Sequence, residues 1–171
     1  MNELKNIPAK LNRWTYKGQP NEEEAEVKDA FLELKLKCDL DASDSQLLEL
    51  LSERFPGLQQ MRDRNKEECE KHALAVHPEG SDNLFFQMHR PEDEDCVLMT
   101  RNTSLNKIRV ELTKKCEQYA ELVFSTRYTG SLDDLRTVFE KDVLFSLSTH
   151  DPDQGVLAFP TTNPEQQTAE V

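Results

Sequence analysis

Three side chains within nine residues, Cys69, His72 and His77, are of the types that bind zinc or pair as nucleophile and base. On a helix, Cys69 and His72 at i, i+3 would share a face, and Cys96 offers a further thiolate from elsewhere in the chain. Zinc would accept that donor set, but no paired CxxC knuckle accompanies it and Pro78 follows His77 directly. Nucleophilic catalysis needs a Cys or Ser beside a positioned base. His72, His77, His89 and His150 are the imidazoles present, and no local signature joins one of them to a nucleophile. Five ungrouped glycines form no phosphate-cradling loop. Carboxylates are plentiful but fall in charge runs that read as solvated faces. The expectation is a chain without catalytic residues, cofactor or metal. A small zinc-binding or enzymatic domain using Cys69, His72 and His77 is one alternative.

The most distinctive polar feature is the run Glu92-Asp93-Glu94-Asp95, which sits between two strand-like segments. Four carboxylates on one turn could steer in a basic partner, so these residues are the candidate partner-binding site. The stretch from Pro91 through Cys96-Val97-Leu98-Met99 resembles the acidic motif of PB1 domains, a ubiquitin-like family that pairs through acidic and basic faces. A helix over Leu47 to Phe55 ahead of the hairpin is similar too, while Glu94 stands where that motif usually has glycine and the later part of the motif is missing. The resemblance implies a protein partner docked by charge.

The elements that must position these residues begin with Leu32-Glu33-Leu34-Lys35-Leu36-Lys37-Cys38-Asp39-Leu40, where apolar and charged residues alternate. Successive strand side chains point to opposite faces, so this period buries the leucines and Cys38 and leaves the charges in water. One wet face predicts an antiparallel sheet. A single helix over 22–38, with Val27, Phe31, Leu34 and Cys38 as its stripe, is the competing reading. Leu11 to Lys17 reads as a short strand. Ser43-Asp44-Ser45-Gln46 offers a capping box for a helix through Leu47, Leu48, Leu50 and Leu51 that stops at Pro56-Gly57. A second helix starts near Leu58 and carries Met61, Cys69, Ala73 and Val76. The runs 84–88 and 96–100 form a hairpin around the acidic turn. Leu105, Ile108, Leu112, Cys116, Tyr119 and Val123 recur at helical steps and predict an amphipathic helix over 105–124, with Cys116 on its dry face. A short helix near 132–139, a strand over 143–149 and a second hairpin reaching 156–159 complete the chain.

The fold expected is α+β: an antiparallel sheet around 32–40 and 84–100, covered on one face by helices near 44–55 and 105–124. A mainly α fold with a single hairpin is the alternative. Residues 1–10 are expected to be flexible, 11–159 to form one domain, and 160–171 to be a disordered tail. A net charge of −12 argues against a nucleic-acid-binding surface, because phosphate neutralisation needs clustered Lys and Arg. It leaves open an acidic inhibitor that mimics nucleic acid. No apolar run is long enough to span a membrane and the first residues form no signal core, so an intracellular setting, cytoplasmic or nuclear, with four reduced cysteines is expected. The functional expectation is a non-enzymatic adaptor or regulatory subunit that docks a protein partner with a basic surface, on a sheet edge, an exposed helix face or the acidic turn.

Overall fold

The structure, a computed structural model, describes residues 3–17, 31–42, 45–78, 82–93, 95–128 and 132–149. Seven strands and three helices follow one another as β1 (Leu4–Lys17), β2 (Phe31–Asp39), α1 (Ser45–Arg54), α2 (Leu58–Glu68), β3 (His72–Val76), β4 (Leu84–His89), β5 (Cys96–Leu112), β6 (Gln118–Arg127), α3 (Asp133–Val138) and β7 (Asp142–Ser148). All strand pairs are antiparallel. In the order β5-β4-β7-β1-β2-β6 the sheet closes on itself through β6–β5 pairing, giving a six-stranded barrel, with β3 added outside that ring on β5.

Two long strands make closure possible. β1 pairs with β7 through Leu4–Lys10 and with β2 from Lys10 to Lys17, the second pairing broken by a register shift between Leu11 and Arg13. The 17 residues of β5 pair with β4 in their first half, and with β6 on one side and β3 on the other in their second. Such irregularities bend a strand and let a sheet curl.

The alternation in β2 is realised as read: Leu32, Leu34, Leu36 and Cys38 are fully buried, with charged residues between them. The aromatic rings of Phe86, Phe124 and Phe145, from three different strands, meet in the barrel with centroids 5.1 to 6.1 Å apart. They fill the interior together with Leu4, Ile7, Leu11, Met88, Ile108 and Leu147, so the barrel is a packed core. From α1, the buried Leu47, Leu50 and Leu51 join this cluster, and α3 adds Leu135 and Val138.

The expected α+β sheet with helices on one face is therefore corrected to a closed barrel with three short helices. The mainly α alternative falls with it. The helix foreseen over 105–124 is the second half of β5, a turn at 113–117, and β6. Ile108, Val110 and Leu112 and then Gln118, Ala120, Leu122 and Phe124 point inward at a strict period of two. Thr113 breaks the helical reading: its Oγ1 accepts from the backbone N–H groups of Lys115 and Glu117, and Cys116 adopts φ +62°. Local side-chain capture of backbone donors of this kind competes with helix propagation. The second predicted helix ends at Glu68, and Ala73 and Val76 belong to β3. Residues 1–10, expected to be flexible, contribute strand from Leu4 onward. The closed barrel is also unlike the open sheet that a ubiquitin-like resemblance implies. The strand foreseen over 143–149 is β7, while residues 43–44 of the capping box, the second strand of that hairpin at 156–159 and the tail at 160–171 lie outside the described residues. No helix among the described residues is long and apolar enough to cross a membrane.

Candidate functional site

The potential zinc or catalytic residues do not converge. Cys69 is joined to Cys116 in a disulfide, which overturns the expectation of four reduced cysteines and occupies the first proposed ligand. His72 Nε2 lies 3.7 Å from Glu70 Oε1, and His77 Nδ1 is 3.0 Å from the carbonyl oxygen of Asn106. Cys96 is exposed, at the start of β5. Burial of the sulfur and then the neighbouring Asp95 carboxylate push its thiol above the ordinary range, the opposite of what activates a nucleophile. Among the described residues no three His, Cys, Asp or Glu side chains come together as metal ligands.

The acidic turn keeps its place between β4 and β5. Glu94 is outside the described residues, and Glu92, Asp93 and Asp95 belong to a turn stapled by local hydrogen bonds. The N–H of Asp93 donates to the Arg90 carbonyl at 3.2 Å, and Asp93 Oδ1 accepts from the N–H of Asp95 at 2.9 Å. His89 Nδ1 lies 2.9 Å from both the Arg90 and Asp93 carbonyl oxygens. One carboxylate of the run is thus occupied in shaping the turn.

The element missed in the sequence is β3. It pairs with β5 through His72↔Leu112, Leu74↔Val110 and Val76↔Ile108, and no other strand among the described residues pairs with it. Ala73 and Ala75 are exposed on one side, while Leu74 and Val76 pack against the core on the other. The run Ala73-Leu74-Ala75-Val76 contains no charge and no proline, the usual devices that blunt a sheet edge. A period of two in those residues, closed by His77-Pro78, was the signal available, and it was masked by the charged helix running into it.

Both ends of this edge are fastened. Ahead of it, α2 ends with the N–H of Cys69 donating to the Asn65 carbonyl at 2.7 Å, and the disulfide ties that point to the β5–β6 turn. Asn65, fully buried, donates from Nδ2 to the carbonyl oxygens of Glu70 (2.8 Å) and Thr113 (2.9 Å). Behind Asn65, Arg62 Nε donates to Gln118 Oε1 at 2.8 Å, and Gln118 Nε2 donates to the Arg62 carbonyl at 2.9 Å and to Asn65 Oδ1 at 3.1 Å. These three buried polar side chains pair with one another and with backbone, so burying them leaves few groups unsatisfied. After the strand, the His77–Asn106 contact holds the far end. A strand edge fixed in this way loses little entropy when something pairs with it. Comparison with protein-family models, with curated proteins and with solved structures finds no match to this chain.

Proposed function

We propose that the chain is a non-catalytic protein-docking module, an adaptor or regulatory subunit, that takes an extended segment of a partner protein onto the free edge of β3. One observation carries this reading: β3 is the strand left outside a closed barrel, uncharged from Ala73 to Val76 and anchored at both ends. Strand addition draws its affinity from main-chain hydrogen bonds and its selectivity from alternate side chains. The small, exposed Ala73 and Ala75 leave room beside an incoming strand for larger partner side chains. The acidic turn would be a second contact for a basic partner. A zinc or enzymatic domain has less support, since Cys69 is disulfide-bonded and no three potential ligands come together among the described residues.

The test is selection of peptide binders from a displayed random library, followed by amide hydrogen exchange of the full chain with each binder. Slowed exchange at 72–76, and loss of binding in Ala73→Lys/Ala75→Lys at an unchanged melting temperature, are expected. Binders that protect other strands and ignore the lysines would sink the reading.

A further inference from the structure

The net charge of −12 conceals a cationic surface on the opposite side of β5. On the outer face of the barrel, Lys10 of β1 stands directly opposite Lys37 of β2, and one step along Arg13 stands opposite Lys35. Lys35 and Lys107 flank Val123 of β6 from either side. Five cations thus lie on three strands, β1, β2 and β5, with Val123 of β6 between Lys35 and Lys107. Like charges directly opposite each other in a sheet repel. Among the described residues Lys10, Arg13, Lys35 and Lys107 form no ion pair. Carboxylates border the group: Asp142 of β7 stands opposite Lys10, Glu121 of β6 opposite Lys37, and Glu33 and Asp39 share the outer face of β2, which leaves the row Arg13, Lys35 and Lys107 without a directly opposite carboxylate.

Aromatic rings stand at both ends of this surface. Lys37 Nζ sits 4.1 Å over the ring of Tyr119. On the same face of β2, Phe31 is 43% exposed beside Arg127, in a cleft with Ser104 and Ser125. From Phe31 to Lys37 the face runs for about 20 Å at the usual strand rise.

The geometry points to single-stranded nucleic acid as the occupant of this face. β2 and β6 have both edges paired, so a peptide lying here could form no main-chain ladder with them. A ligand held along the row Arg13, Lys35 and Lys107 must supply negative charge of its own, and rings at the ends suit stacked bases. A cationic track with aromatic platforms is the general solution for sequence-tolerant binding of single strands. This inference is independent of docking on β3, and it revises what total charge alone implies.

The test uses the full chain and a fluorescently labelled 20-residue oligothymidylate, read by anisotropy at 50 mM and 200 mM salt, with poly-glutamate as a second ligand. If about five phosphates are neutralised, affinity should fall roughly a hundredfold between the two salt concentrations. Lys35→Gln/Lys37→Gln should weaken binding at least tenfold, and Arg136→Gln on α3 should not, with melting temperatures confirming that all fold. Absence of saturable binding at 50 mM salt overturns the proposal, as does a double variant that binds like the parent. Poly-glutamate binding as tightly as the oligonucleotide would also overturn it, and would assign the face to an acidic polypeptide.

Discussion

Replacing Gln118 by Leu is the sharpest probe of how the edge strand is held. Gln118 is 2% exposed and its amide makes three hydrogen bonds, two of them to Arg62 and one to Asn65. Leucine has a similar size, so the core keeps its volume while the hydrogen bonds go. Arg62, itself 8% exposed, would keep only a 3.5 Å contact to the Leu40 carbonyl and a 3.5 Å approach to Asp41. Hydrogen bonds to charged groups contribute roughly 1.5–3 kcal/mol, and a buried group left unpaired adds about 1–3 kcal/mol of penalty. Leucine's apolar burial offsets part of that, leaving an expected loss of about 2–4 kcal/mol. Urea denaturation of the full chain, followed by circular dichroism with the disulfide intact, measures it as a lower midpoint at unchanged slope. Gln118→Glu should be intermediate, since it accepts from Arg62 but cannot donate to Asn65. A loss below about 1 kcal/mol for the leucine variant would refute the claim that this amide organises the junction.

Other measurements bear on the same fold. Reducing the Cys69–Cys116 disulfide, whose cysteines are 47 residues apart, should destabilise the chain by up to about 4 kcal/mol by loop-closure entropy, read as the difference in denaturation midpoint with and without reductant. Arg13→Glu turns a repulsive pair with Lys35 into an attractive one and should stabilise by about 0.4–2 kcal/mol, raising the melting temperature by a few degrees. Alkylation of Cys96 at pH 8 should be slower than that of an ordinary free thiol, because burial and Asp95 disfavour the thiolate. Its rate should climb as pH passes the ordinary thiol range, and Asp95→Asn should bring that climb to lower pH. At Gly57, φ +82°, a Cβ would stand 3.8 Å from Gln60 Oε1, an ordinary contact, so Gly57→Ala should cost only the backbone strain of about 1–2 kcal/mol in a melting experiment.

Which parts of this architecture were legible follows from how local their causes are. The helix of α1 declares itself through Leu47, Leu48, Leu50 and Leu51 within its span and the stop at Pro56-Gly57 just beyond it. β2 declares itself through nine alternating positions. The β5–β6 hairpin does not, because Leu105, Ile108 and Leu112 satisfy a helical period as well as Ile108, Val110 and Leu112 satisfy a strand period. What decides between them is the partner across the turn and the pairing with β2, which no window of sequence contains. Closure is less legible still, since it rests on β5 meeting both β4 and β6. The candidate sites share this limit. A disulfide between Cys69 and Cys116 and a cationic face assembled from β1, β2 and β5 are facts of three-dimensional proximity. Total charge is legible too, but it averages over faces and does not show cations grouped on β1, β2 and β5.

Closure also explains why two surfaces of different chemistry can coexist on so small a barrel. Pairing around a ring satisfies the backbone of every barrel strand, so the outer face can recognise a ligand only through side chains. Five cations grouped on that face, four of them without a salt bridge among the described residues, are tolerable because the hydrogen-bonded ring beneath them does not depend on their mutual repulsion being small. β5 is longer than the ring requires, and its second half carries β3 on the edge that β4 has left. On the proposed reading, main-chain recognition would use the five residues of β3, His72 to Val76. An exposed, uncharged edge is an aggregation hazard if it is free to extend. Here the disulfide and Asn65 fix its start and Pro78 ends it, so the edge is short as well as rigid. Releasing the start of β3 should therefore act on docking and on solubility together. In Asn65→Ala the carbonyl oxygens of Glu70 and Thr113 lose their donor while β3 keeps its own sequence. Faster amide exchange at 72–76 and a rise in light scattering at high protein concentration are expected, with oligothymidylate binding unchanged. Unchanged exchange at those residues would show that β5 alone holds the edge.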